Sequence, residues 1–385
     1  MKKLILILSL GLLFSCTGKQ KENAQSNLAV IPVSTENSIP LELSGLSKEV
    51  SYVKLATEDA CLIGEINKLL YVDDYIVVCS DHNTIFFFNK NGTFSHKIYH
   101  QGKGPGEYLS ISDFEIDRKD HVITLLDASK QQLLQYDWDG TFIKKSDLNC
   151  WAVGFQQLND SMYVLYSGNQ FSEENKYKLT VYNLSSCNVS AHFYPISKEK
   201  SSYLHVFTDN NFSRCGDDVL LCEMFNDTIY SVSASKYTPR YYIDFGKPKI
   251  PSSFYEAGYD DIMNFQTKLH EHDYCYGMSS LANFQTGFIT SCFIHKSEYF
   301  IYYNKVTEIA VAFNQLTDKA FLGNTLVDVT KCGARFFSNG DYLLMLADNE
   351  LYANELDSHS VLKKQLGEVK IDDNPIILLY KLKEK

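Results

Sequence analysis

Two tight-turn signals stand at the same place in two neighbouring segments, and that coincidence narrows the folds open to this chain. Asn91-Gly92 follows the apolar run Thr84-Ile85-Phe86-Phe87-Phe88, and Asp139-Gly140 follows Gln132-Leu133-Leu134-Gln135-Tyr136. Asn-Gly and Asp-Gly between β-type runs are the strongest short-range hairpin signal. Each run has a strongly apolar partner before it, Tyr75 to Cys79 in the first segment and Val122 to Leu126 in the second. Each turn leads into a further strand, Thr93 to Tyr99 and Thr141 to Ile143. The unit is therefore four strands, with the diagnostic turn between the third and fourth. The two copies run from Ile66 to Tyr99 and from Ile111 to Asp147.

Looser copies follow. The third holds Trp151 to Leu158, Met162 to Tyr166, Leu179 to Asn183 and Val189 to Tyr194. The fourth passes through Phe212-Ser213-Arg214, Asp218 to Phe225, Thr228 to Val232 and Tyr241 to Phe245. The fifth takes Leu281 to Phe284, Gly287 to Ile294, Tyr299 to Asn304 and Ile309 to Phe313. The sixth has Ala334 to Phe337, the turn Asn339-Gly340, Tyr342 to Leu346 and Pro375 to Tyr380, and lacks a fourth strand. A spare strand, Val50 to Leu55, lies at the other end, and pairing the two closes a ring. A repeat of about 40 to 45 residues with four strands matches a β-propeller blade. The expectation is an all-β, six-bladed β-propeller over residues 39–383, closed by an N-terminal strand. A pair of β-sandwiches and a seven-bladed ring are the competing readings. The 26 Tyr and 24 Phe suit strands, and 45% hydrophobic residues suffice for a core.

The amino terminus reads as an address. Met1-Lys2-Lys3 precedes an apolar run from Leu4 to Phe14. That run is too short to span a bilayer, which takes about 20 residues, but it suits a signal peptide at 1–15. Leu13-Phe14-Ser15-Cys16 resembles the lipobox of bacterial lipoproteins, which implies lipidation of Cys16 and a membrane partner through the anchor. Residues 16–38 then form a lipidated Cys and flexible tether. The net charge of -11 argues against nucleic acid, whose phosphates need clustered Lys and Arg.

Between the first two units lies Gly102-Lys103-Gly104-Pro105-Gly106-Glu107-Tyr108, followed by Asp113-Phe114-Glu115-Ile116-Asp117. With the repeat and the closing Asn374 to Lys383, this element resembles the six-bladed β-propeller lipoproteins of Bacteroidetes, relatives of NHL-type propellers. The resemblance implies an outer-membrane lipoprotein of the cell envelope and supplies no reaction. The residues themselves fit a clasp between units: glycines for positive φ and close approach, Pro105 for stiffness, Glu107 to accept backbone N–H, Tyr108 to pack. It is not a phosphate loop, since no Gly-Lys-Ser/Thr ending or helical pattern follows.

Blade strands alternate in direction, so connections between units share a face with those between second and third strands. The long insertions all fall there: His100 to Tyr108, Ser167 to Asn175, Pro195 to Asn210, Gly246 to Met278 and Asp348 to Asn374. Helical insertions are expected at about 246–278, with a capping box Ser253-x-x-Glu256, and at 348–374. Long loops on one end of a rigid scaffold commonly carry function. The expected binding residues are His100, Gly102, Gly104, Pro105, Gly106, Glu107, Tyr108, Asp113, Tyr255 and Tyr259. Tyr203, Phe207, Phe254, Tyr274 and Tyr276 suit stacking on sugars or protein contact as well as ordinary packing.

Catalytic signals are weak. His270-Glu271-His272-Asp273 is dense in ligand-type residues, but its two His stand about 200° apart on a helix, so it reads as a solvated helix end. Asp113, Glu115 and Asp117 share one strand face, and calcium in the channel is the one metal reading they leave open. Nine Cys remain beyond Cys16 with no Cys-x-x-Cys, and a Cys215–Cys222 bridge stays undecided. No cofactor is expected. The function expected is recognition of a glycan, a peptide or an envelope protein. The alternative is a lyase or hydrolase with a metal or acidic site at the channel.

Overall fold

The computed structural model describes residues 28–34, 36, 38–204 and 210–384. The signal segment 1–15, Cys16, the first part of the tether and Phe207 lie outside the described residues. The chain is an all-β propeller, and its strands group into sheets in chain order. Sheet 1 is Ile66–Val72, Tyr75–Ser80, Thr84–Asn89 and Phe94–Ile98; sheet 2 is Asp113–Asp117, Val122–Asp127, Gln132–Tyr136 and Phe142–Asp147. Sheet 3 is Gly154–Gln157, Met162–Tyr166, Tyr177–Asn183 and Asn188–Pro195. Sheet 4 is Phe212–Cys215, Asp218–Leu221, Thr228–Val232 and Tyr237–Asp244; sheet 5 is Tyr276–Phe284, Gly287–Ile294, Ser297–Asn304 and Ile309–Phe313. Sheet 6 joins Leu41–Glu42, Gln315–Thr317 and Val327–Asp328, and sheet 7 joins Arg335–Ser338, Tyr342–Leu346, Ile376–Leu382 and Ser47–Lys54.

This corrects the six-blade count: the described residues form seven sheets, not six. The extra unit is sheet 6, in which Leu41 pairs in parallel with Leu316, and Leu316 pairs with Val327. Strands of two or three residues show no alternation, so periodicity cannot find them. What holds them is burial: Leu41, Leu316 and Val327 join the apolar layer between sheets 5 and 7.

The ends of the chain are tied in at two places. Ser47–Lys54 pairs antiparallel with Ile376–Leu382, Val53 opposite Ile377 and Ser51 opposite Leu379. The closing strand thus becomes the outermost strand of sheet 7. The Asn91-Gly92 turn of sheet 1 lies against it, and a Cβ on Gly92 would fall 2.0 Å from the Lys54 carbonyl oxygen. The tether also ends earlier than residue 38. Ala29–Pro32 adds a fifth, parallel strand to sheet 4, Ile31 opposite Ile243, and Ile31 is buried. Four residues ending in Pro carry no strand signal in sequence, but an outer edge tolerates the missing N–H.

The core is a set of apolar layers, one between each neighbouring pair of sheets. Phe87, Phe114 and Tyr136 fill that between sheets 1 and 2. Val53, Phe88 and Leu379 fill that between sheets 7 and 1. The helical insertions are broken where single helices were expected. Ser252–Tyr255 and Ile262–His270 are separated by Gly258 at φ +73, a left-handed conformation that favours glycine. The box Ser253–Glu256 is not used; Asp261 caps the second helix by accepting from the Asn264 N–H at 2.8 Å. In the last insertion a π-helical turn, Leu351–Glu355, precedes the α-helix Val361–Leu366.

Val53→Asp places an unpaired charge inside the closing seam, whereas Ser51→Asp, on the same face two residues earlier, stands at an exposed position. Chemical denaturation is expected to show Val53→Asp losing at least about 3 kcal/mol, and Ser51→Asp changing little.

Candidate functional site

The innermost strand of each propeller sheet has one edge with no strand beside it, so its backbone N–H and C=O groups need other partners. Side chains from neighbouring inner strands supply them here. Lys68 Nζ donates to the Phe114 carbonyl at 2.8 Å, and the Phe155 N–H donates to Asp113 Oδ2 at 2.9 Å. Arg214 Nη1 reaches the Gln157 carbonyl at 3.0 Å, and the Asn283 N–H reaches Ser213 Oγ at 2.9 Å. Arg335 donates to the Ile66 carbonyl, and Asn339 Nδ2 to the Tyr71 carbonyl at 3.0 Å. These bridges tie sheet 1 to 2, 2 to 3, 3 to 4, 4 to 5, and 7 back to 1.

The tightest bridge is ionic. Lys68 Nζ lies 2.9 Å from Asp113 Oδ1 and 2.7 Å from Glu115 Oε1, with all three side chains mostly buried. Burial pulls the Lys68 ammonium down, but the two carboxylates outweigh it and hold its pKa above the usual lysine range. Asp113 and Glu115 therefore converge on a lysine. Asp117 turns elsewhere, accepting from Gln157 Nε2 at 2.9 Å and from the Lys119 and Asp120 N–H groups. Burial pushes the Asp117 carboxyl up, and these hydrogen bonds overcome it and hold the group low. Asp117 thus stands apart from the Asp113–Glu115 pair, and among the described residues no group of three or more ligand-type side chains gathers for a metal.

Around these bridges runs a cavity of about 560 Å³. It is lined from Asn67, Lys68 and Asn210 at one end to Arg118, Lys119, Asn159, Asp160, Gly216 and Asn339 at the other. The second group sits at or beside the turns between first and second strands. Those turns lie on the face opposite the insertions, because the strands alternate in direction. Five cations (Lys68, Arg118, Lys119, Arg214, Arg335) and three carboxylates (Glu115, Asp117, Asp160) line the cavity, in a chain whose net charge is -11.

The expected site residues have other places. His100, Gly102, Gly104, Pro105, Gly106, Glu107 and Tyr108 do not line the channel cavity. They form a closed clasp. The Tyr108 hydroxyl donates to the Asn83 carbonyl at 2.7 Å and accepts from the His100 N–H at 3.0 Å. Glu107 Oε2 accepts from the Gly104 N–H at 2.6 Å, folding over Gly102, where a Cβ would come within 2.1 Å of it. Lys130 Nζ donates to the Gly102 and Glu107 carbonyls, and the Tyr136 hydroxyl to that of Gly106. Of the three glycines only Gly106 has positive φ, at +73, with the Phe142 ring against it. His100 stacks on Tyr136 and reaches the Gly140 carbonyl at 2.9 Å.

Tyr255 and Tyr259 are spent on packing. They surround Phe265 with Tyr203, Phe225 and Phe254 in a small core beneath the helical insertion, and Tyr276 packs on Phe225. Their hydroxyls donate to the Phe225 and Phe254 carbonyls at 3.0 and 2.7 Å. In the His270 segment, Glu271 pairs with Lys268, Asp273 meets His295 Nδ1 at 2.7 Å, and His272 stacks on Tyr274. Among the described residues none of the nine cysteines, Cys215 and Cys222 included, is joined in a disulfide.

A second buried ion pair lies between sheets 3 and 4. Lys178 Nζ meets both Glu223 oxygens at 2.8 and 3.1 Å and sits 4.2 Å from the centre of the Tyr194 ring. Burial pushes Glu223 up, but Lys178, Tyr166 and Asn226 hold it low. Nearby Asp227 accepts, among the described residues, a single side-chain hydrogen bond, from the Gly277 N–H at 3.3 Å, and burial outweighs that bond and the Lys249 charge and pushes its carboxyl up to about 6.

The channel residues were within reach of sequence. Lys68, Gln156, Gln157, Arg214 and Arg335 each interrupt the apolar first strand of a repeat unit. Such a polar interruption marks the strand beside the channel in sheets 1, 3, 4 and 7.

Two outcomes follow from this geometry. Gly106→Ala must hold a Cβ at positive φ, 2.7 Å from the Phe142 ring, and is expected to cost about 1–3 kcal/mol in urea unfolding, with the tyrosine contacts loosened. Asp227 has a folded pKa raised above the ordinary 3.8, so its burial costs nothing below about pH 4, and the cost grows until about pH 6. Asp227→Asn is therefore expected to stabilise by about 3 kcal/mol at pH 7, with no gain at pH 3.5, in paired denaturation curves.

Comparison with known proteins supports the fold. A Bacteroides fragilis protein described as a "putative exported protein" superposes with a TM-score of 0.73 at 20% identity, covering 93% of this chain and 100% of that one. A DUF4221 family member from Bacteroides vulgatus gives a TM-score of 0.52 at 13% identity, covering 88% of this chain and 97% of that one. No curated protein matches. The family model of DUF4934, a domain of unknown function, matches residues 28–381, and the chain belongs to that family.

Proposed function

We propose that this chain is an exported, lipid-anchored recognition module whose ligand, a glycan or a peptide segment, occupies the central channel from the short-turn face. Export and anchoring rest on the apolar leader and on Leu13-Phe14-Ser15-Cys16, with an outer-membrane location in the cell envelope following from them. The exported description of the Bacteroides fragilis neighbour agrees with this.

The observation that carries the reading is the cavity itself. Its volume of about 560 Å³ lies within the range of small-ligand sites, and side chains from several inner strands converge on it. The aromatic residues of the insertion face, the other place for a ligand, are turned into a local core with their hydroxyls paired. Binding is favoured over catalysis because the strongest acid convergence, Asp113 with Glu115, is locked on Lys68 rather than poised beside a reacting atom.

The test is thermal unfolding of the chain from Thr17, which contains every described residue, against panels of envelope and dietary oligosaccharides and short peptides. A ligand at 100 times its Kd is expected to stabilise the fold by about 2.7 kcal/mol. Ser280→Trp, which places bulk at the channel wall, is expected to abolish that shift. A shift that survives Ser280→Trp unchanged moves the site off the channel, and no shift from either panel removes the small-ligand reading.

A further inference from the structure

We infer that the channel selects a carboxylate-bearing sugar, held by arginines at its short-turn end; this rests on the recognition reading above. The chain has few arginines, and Arg118, Arg214 and Arg335 all line this one cavity. Arg214 is fixed by two neutral partners, donating from Nε to the Gly216 carbonyl at 2.8 Å and from Nη1 to the Gln157 carbonyl at 3.0 Å. Neither partner cancels its charge, and the guanidinium keeps N–H groups beyond those two. Arg118 is exposed at the rim and makes no ion pair with a described residue.

The carboxylates in the same cavity are occupied. Glu115 is on Lys68. Asp160 faces Lys119 at 3.3 Å. Asp117 takes Gln157 and two backbone N–H groups. What remains to meet a ligand is a pair of guanidinium forks whose geometry matches a carboxylate. Other walls of the cavity add aromatic rings: Tyr71, Phe212 and Phe337 are half-buried and line it. A flat face of C–H groups carrying a carboxylate is the chemistry of an acidic sugar ring, and aromatic walls suit such a face. Within a chain of net charge -11, a cationic mouth also steers anions to this end.

The experiment is calorimetric titration of the chain from Thr17 with galacturonate and glucuronate trimers, their methyl esters, neutral trisaccharides, citrate and an acidic tetrapeptide. The expected result is binding of a uronate trimer that weakens as salt rises and is lost on methyl esterification. Arg118→Gln is expected to weaken it about tenfold, the usual scale for losing one charge-assisted contact. Arg118 makes no hydrogen bond to a described residue, so an unchanged melting temperature is expected for that variant. Lys144→Gln, on the outer strand of sheet 2, should leave binding unchanged.

Equal binding of esters or neutral sugars overturns the acidic selectivity and leaves the channel reading standing. Binding of citrate or the peptide without the uronates overturns the sugar class. Uronate binding that is indifferent to Arg118→Gln and to salt overturns the arginine site. Silence from every probe, neutral sugars included, overturns this inference together with the recognition reading.

Discussion

An inner strand with nothing along one edge is the constraint that shapes this molecule. Its N–H and C=O groups face a channel, and an unmade backbone hydrogen bond costs about 1–3 kcal/mol when buried. The chain answers with polar side chains sent sideways from one inner strand to the next. Lys68 reaches sheet 2, Asp113 reaches sheet 3, Arg214 comes back to sheet 3, and Arg335 crosses from sheet 7 to sheet 1. The apolar layers between sheets supply most of the burial. The polar ring decides how adjacent sheets are set against each other, because a bridge such as Lys68 with Asp113 and Glu115 is satisfied in only one register.

The insertion-bearing face and the channel divide the polar and aromatic resources differently. On the insertion face, aromatic rings build a satellite core under two short helices, and the tyrosine hydroxyls end on backbone carbonyls. Length of insertion there reflects the need to bury Phe265 and its neighbours after the chain has left the sheet. In the channel, apolar rings are fewer and cations stay near water. A long loop can thus use its side chains for its own packing, while a short turn borders a polar cavity.

Much of the architecture was legible in the sequence, and the failures have physical causes. The four-strand units stood out because Gly92 and Gly140 occupy turns that take positive φ, which only a few residues adopt readily. The closing pair of Ser47–Lys54 with Ile376–Leu382 was legible because both runs are long and one lacked a partner. Sheet 6 was not legible, since strands as short as Leu41–Glu42 carry no period and exist through the burial of Leu41 and Val327. The glycine element has a structural explanation of a related kind. Gly102 to Tyr108 is the most distinctive stretch in the chain, yet its distinctiveness comes from close backbone approach and a buried Tyr108, which are demands of a joint. Arg214 and Arg335 stand far apart in sequence, and the closed ring brings them to one cavity.

The same side chains that satisfy the inner edges also set what the channel can hold. An arginine whose Nε and Nη1 are committed to carbonyls, as in Arg214, has lost most of its rotamer freedom before any ligand arrives. The entropy of ordering it is charged to folding, so the remaining N–H groups would meet the proposed ligand already oriented. A free surface arginine would give back much of its binding energy in being held still. Preorganisation here needs no separate device: it follows from the unpaired edge. Changes in ligand within the family are then expected at rim positions such as Arg118, which bond to nothing structural. Lys68 and Asp113, which hold sheets together, have far less room to vary.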